Sequence, residues 1–347
     1  MRTTMGRLAT ATLLSAALGA AAPAAADAGS AGPDFGHRPP GLIEVHAPAL
    51  LPESVGYDSI SNQFIVGSVR NGTVSTVRTD GSIQTLVDDP QLVSTAGVRV
   101  DELRRRVLVT NLDLGVGVHS SPDTVFRLSG LGSYGIDDGA TNWYVDLAAV
   151  AHDGGLHFAN EIAIAPDGTA YVTDGAAPII YRVGVTGHAD VLVRDDRLAG
   201  NGSLPGTPPN FGLTAVAWAP GNLLVVTKAD GTVWRVPVGA PAALSQVALS
   251  GGLLTFVDDV RTLPDGSLAA ISNGFGGPTG AVQTISPYNG WRKATVTSTI
   301  VLNEVLPTGI TAGPSGTTYV LFGHIADFGA GHPSDTFTLR KVQINTD

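Results

Sequence analysis

The tightest constraint on this chain is a repeat in which a short strand-like run leads, at a fixed offset, into a Pro-led turn. Four copies are clear: Asn160 through Pro166-Asp167-Gly168, Thr214 to Pro220, Asp258 through Pro264-Asp265-Gly266, and Thr308 through Pro314-Ser315-Gly316. Looser copies begin at Glu53 (Glu-Ser-Val-Gly-Tyr-Asp58) and at Thr95 (Thr-Ala-Gly-Val-Arg-Val-Asp101), bringing the count to six. A mean step of about 51 residues, repeated six times, predicts an all-β, six-bladed propeller in which every blade packs only against its neighbours.

The last blade runs short. After Gly309 to Ala312, Thr317 to Phe322 and Phe337 to Ile344 there is room for three strands only, while Leu42 to His46 reads as a strand with no blade of its own. The N-terminal strand is therefore expected to pair beside the C-terminal one and to close the ring, which removes an open edge. Blade 3 is the clearest meander: Glu161 to Ala165, Thr169 to Thr173, Ile179 to Val183 and Ala189 to Val193 are short runs bounded by Asp, Gly and Pro. The step from Thr95 to Asn160 is much longer than the one before it, and the extra residues, Leu112 to Pro122 and Leu131 to Phe158, are expected to be loops overhanging one face.

The N-terminus carries a separate message. Arg2 and Arg7 precede an uncharged run, Leu8 to Ala22, and small residues at Ala24 and Ala26, the layout of a secretory signal peptide cut after Ala26. Residues 27–40 are rich in Gly, Pro and Ala and read as a flexible leader, so the propeller is expected to occupy 41–347 and the mature protein to be secreted. The chain contains no cysteine, which excludes disulfides and thiolate chemistry. Its net charge of −10 argues against nucleic-acid or anionic-membrane partners, and a monomer acting on a small molecule is the expected form. The cluster Arg104-Arg105-Arg106 lies between two strands and reads as a solvated turn.

The lead residues of the six copies are Glu53, Thr95, Asn160, Thr214, Asp258 and Thr308. Each starts the strand nearest the axis, so all six are expected at one level of the channel mouth. A ring of carboxylate, carboxamide and hydroxyl oxygens suits a hard divalent cation, calcium above all. The competing reading is that Asp, Asn and Thr stand there because they cap turns, and for the three Thr this reading is preferred. With only 14% of residues charged, two acids aimed at one axis require a cation or a proton between them.

The segments that begin at Glu53, Asn160 and Asp258 resemble the first, third and fifth blade signatures of the gluconolactonase and senescence-marker-protein family, with paraoxonases and strictosidine-synthase-like proteins as remoter relatives. The resemblance spans nearly all of the chain after the leader. It implies a divalent metal at Glu53, Asn160, Asp258 and the fourth-blade position, Thr214, where the family has Asn, and it implies opening of lactones or esters. A metal there would polarise the carbonyl while Asp258, Asp259 or His157 activates water. His119 and His324 are further imidazoles expected near the mouth, whereas His37, His46, His188 and His332 are read as peripheral. Two alternatives remain open: a non-catalytic propeller with a lapsed metal site, and a lyase or cyclase of specialised metabolism.

Overall fold

The computed structural model describes residues 38–200, 207–252, 254–273, 279–304, 306–325 and 333–344. The expected signal peptide and most of the expected leader, with His37 and His332, lie outside them. The described chain is almost entirely β, with one five-residue helix, Leu147–Ala151.

Six sheets, antiparallel except for one outer strand of blade 5, form the blades. Their innermost strands are Val55–Asp58, Ser94–Asp101, Ala159–Ile164, Leu213–Ala219, Val257–Thr262 and Gly309–Ala312. Each of these touches the next, and the sixth touches the first, so they line a central channel. Leu42–His46 pairs antiparallel with Thr336–Val342 as the outer strand of blade 6, with Leu42 opposite Arg340 and His46 opposite Thr336. Ile43 and Val45 point inward and are 2% and 0% exposed, whereas their neighbours face out. That alternation is what a one-sided strand needs to hold its register.

Apolar side chains fill the seams between blades. Six clusters each straddle two adjacent blades; Val225 and Leu223 of blade 4 meet Val260, Ile285 and Trp291 of blade 5, for example. Blade 5 carries a fifth strand, Ala248–Ser250, paired parallel to Lys293–Val301.

Two expectations are corrected here. The second insertion in blade 2 is largely strand rather than overhanging loop, since Ser129–Gly135 and Thr141–Asp146 complete that sheet and the short helix follows. The Arg104-Arg105-Arg106 turn is a staple between blades rather than a solvated turn. Arg105 grips Asp58 of blade 1 with both Nη atoms, at 2.8 and 2.9 Å, and Arg106, 4% exposed, donates to Asp101 and to the Gly168 carbonyl of blade 3. Buried acids and carbonyls that face a guanidinium fork supply the reason.

Candidate active site at the channel mouth

In blades 2 to 5 the inner strand is bulged at its head. The pairing register shifts between Thr95 and Val98, Ala159 and Ile162, Leu213 and Val216, and Val257 and Asp259. A bulge suspends the strict in-out alternation of a strand and re-aims its side chains. As a result both members of the pairs Asn160-Glu161 and Asp258-Asp259 are turned into the interior. Gly97 belongs to the same device, since a Cβ there would lie 2.4 Å from the Asn160 carbonyl oxygen, so only glycine lets blades 2 and 3 approach this closely.

Four carboxylates, Glu53, Glu161, Asp258 and Asp259, lie within electrostatic reach of one another, and the cation Arg99 is bonded to two of them, Glu161 and Asp259. The Arg99 Nη2 sits 2.8 Å from Glu161 Oε2 and also bonds Asp259 Oδ1, while its Nη1 donates to Ser54 Oγ at 3.2 Å and to its neighbour's carbonyl, Val98 O, at 2.9 Å. Asp259 is fully buried and ties three blades together, its other oxygen accepting from Ile310 N at 2.9 Å. Asp258 and Glu53 are half-buried, with one Asp258 oxygen accepting from Asn273 Nδ2 at 3.2 Å.

The electrostatics are those of too many acids for one guanidinium. Burial raises Asp258 to about 7, with Asp259 adding to the rise and the Asn273 hydrogen bond opposing it. Burial raises Glu161 to about 8 despite Arg99, and Glu53 is pushed well above the carboxylate range by burial and then by Asp258, Glu161 and Asp259. Glu53 Oε2, Glu161 Oε1 and Thr308 Oγ1 are buried without a hydrogen-bond partner. Orphaned oxygens beside raised carboxyls ask for protons or a cation.

The rim is also under backbone strain. The residue two before the lead position is bulky and left-handed in three blades: Leu51 (φ 50°), Phe256 (φ 41°) and Leu306 (φ 49°). Such conformers persist only where the surroundings impose them, and they concentrate at functional sites. Phe158, Phe211 and Phe256 form an aromatic arc there, with ring centroids 5.6 and 5.9 Å apart.

The candidate residues divide. Glu53 and Asp258 share the acid group, and Asn160 stands beside it on the bulge, its Nδ2 donating to Thr214 O at 3.1 Å. Thr214 is turned into its own blade, its hydroxyl 2.8 Å from Thr227 Oγ1, whereas Thr95 reaches back to blade 1, donating to Thr73 O and accepting from Ser68 N. His157 is engaged differently from the expectation of a catalytic imidazole at the mouth. Its ring is 1% exposed and held between Asp174 Oδ2 and Asp153 Oδ1, both at 2.8 Å, with Tyr181 also on Asp174. With both nitrogens bonded to carboxylates it organises blade 3. His119 is 3.5 Å from the Leu92 carbonyl. Sequence reasoning missed Arg99 and Glu161; the available signal was two charges inside otherwise apolar inner strands.

As a holder of a divalent cation, the site has suitable chemistry: Glu53 and Asp258 carboxylates, the Asn160 carboxamide and an orphaned Glu53 oxygen. Among the described residues no three His, Cys, Asp or Glu side chains gather as a ready-made cage, so amide and backbone oxygens or waters would complete the shell.

The same architecture recurs in solved structures. The Malassezia sympodialis allergen Mala s 1 is 17% identical, with a TM-score of 0.70 over 88% of this chain and 96% of that one. A gluconolactonase from Xanthomonas campestris is 14% identical, with a TM-score of 0.56 over 87% of this chain and 89% of its own. This chain shares their fold, the six-bladed β-propeller. Streptogramin B lyase shares the propeller too, at 12% identity and a TM-score of 0.54 over 87% of this chain and 97% of that one. No protein-family model and no curated protein matches the chain.

Proposed function

We propose that this gluconolactonase-like propeller is an exported small-molecule hydrolase, opening lactones or esters at the channel mouth with Glu53, Asn160 and Asp258 around a divalent cation, calcium by preference. The observation that carries the reading is the half-buried pair Glu53 and Asp258, raised together in pKa, with Glu53 Oε2 left without a partner. A bound cation would neutralise that pair and polarise the acyl carbonyl.

The chain's own residues supply the rest. Asp258 is the carboxylate placed to take a proton from the attacking water. The water oxygen forms the new bond to the acyl carbon, the C–O bond to the leaving alkoxide breaks, and the proton passes from Asp258 to that alkoxide. Asp259 has both oxygens bonded and holds Arg99 and the Ile310 backbone rather than exchanging protons. The Phe158, Phe211 and Phe256 arc offers an apolar rim to the substrate.

A non-catalytic binding role is the second reading, favoured by Thr214, whose hydroxyl is engaged with Thr227 and leaves a thinner ligand set. Hydrolysis of a panel of γ- and δ-lactones and aryl esters decides between them. Turnover that needs calcium and falls at least about a hundred-fold in Asp258→Asn supports the proposal. A folded wild-type chain inactive across the panel with calcium present rejects it, and cleavage without water uptake would assign a lyase.

A further inference from the structure

Beyond the carboxylate layer the inner strands run on to the opposite end of the channel and line an open chamber of about 460 Å³. Ile164 and Trp218 give it partly exposed apolar surface, backed by Ile162, Val216 and Val260 in the seams between blades, and Trp218 is braced by stacking on Tyr171 at 5.6 Å. Pockets of about 300–1,000 Å³ with apolar walls and a few placed polar groups are typical of small-ligand sites.

Two guanidiniums reach this wall, Arg99 and Arg261. Arg99 marks the boundary between the two ends of the channel, and its Nη2 is held by Glu161 and Asp259. Arg261 is different. It is half-buried, its hydrogen bond is to Thr318 Oγ1 at 2.5 Å, and among the described residues no carboxylate pairs with it. Its apolar surroundings disfavour its charge and depress its pKa. A guanidinium has five N–H donors in a planar fork, and most of those on Arg261 are left for a planar anion.

We infer that this chamber is a second binding site, separate from the acid group at the other mouth, for a small apolar carboxylate whose anionic head pairs with Arg261 and whose body fills the apolar wall. The acid-rich mouth would repel such a molecule, so the charge pattern of the channel sends it to the Arg261 end.

Decanoate and 1-decanol, which share a tail and differ in charge, test this by calorimetry and tryptophan fluorescence on the full chain. One saturable decanoate site, at least about ten-fold tighter than 1-decanol, is expected from a charge-assisted pair. Arg261→Gln should erase that preference, and Trp218→Phe should remove the fluorescence change while calorimetric binding persists. Absence of saturable decanoate binding, equal affinity for the alcohol, or a fluorescence response retained in Trp218→Phe would overturn the inference. The acid and alcohol comparison uses the unsubstituted chain, so it decides the matter even if Arg261→Gln does not fold.

Discussion

Arg99 of blade 2 and Glu161 of blade 3 meet 2.8 Å apart on the propeller axis, where Arg99 also grips Asp259 of blade 5. Glu161 and Asp259 are fully buried and the Arg99 side chain is 18% exposed, so this triad sits at the junction of three blades in a low-dielectric interior. Removing one member of a buried ionic group leaves an uncompensated charge, which costs more than the intact group contributes.

Arg99→Leu is therefore expected to lower unfolding free energy by about 3–5 kcal/mol, measured by urea denaturation at neutral pH. Arg99→Lys should recover only part of this loss, because an ammonium does not reproduce the fork that reaches Ser54, Glu161 and Asp259.

The axial acids set the sign of the pH dependence. Glu161, Asp258 and Glu53 keep protons in the folded state that the unfolded chain has lost above the ordinary carboxylate range. With chelator present, stability should fall as pH rises from about 5 to about 8, because the folded state binds more protons across that window. Glu161→Gln should flatten the slope by a few kcal/mol over the window, since each tenfold difference in proton affinity between the folded and unfolded chain corresponds to about 1.4 kcal/mol. An unchanged slope in melting experiments would refute this.

His157 offers a contrast in the same window. Burial alone would lower its pKa, but the hydrogen bonds and charges of Asp174 and Asp153 prevail and raise it. Its stabilising contribution is full below the unfolded histidine value and is lost as pH rises through the raised folded value. His157→Gln should cost about 1–3 kcal/mol at pH 6, less at alkaline pH, and should leave per-molecule turnover of the folded protein largely intact.

Ring closure gives a fourth expectation. Deleting residues 42–46 removes Ile43 and Val45 from the core and exposes the edge of Thr336–Val342. At about 1.5–3 kcal/mol per buried aliphatic side chain, the loss is about 3–6 kcal/mol, visible by calorimetry as a lowered transition for the whole propeller.

Much of this fold was legible in the residues. The Pro-led turns after Ala165, Ala219, Leu263 and Gly313 set the ends of the inner strands, and the surplus strand at Leu42–His46 matched the shortage in blade 6. The site was only half legible. Simple alternation sends the residue after each lead position away from the axis, and the bulges cancel that rule, which is why Glu161 escaped notice beside Asn160. The pairing of Arg99 with Asp259 joins residues 160 apart in sequence, and nothing local announces it. The Arg104-Arg105-Arg106 run misled for the same reason, because its acid and carbonyl partners lie on other blades.

Glu53, Asn160 and Asp258 are proposed to hold a divalent cation at the channel mouth. Calcium titration by isothermal calorimetry of the chelator-stripped protein, beside Asp258→Asn, tests it most directly. One calcium per wild-type chain, protons released on binding, and at least about a hundred-fold weaker binding in the variant are expected. No heat of binding in a folded wild-type chain, or equal binding by both proteins, would contradict it.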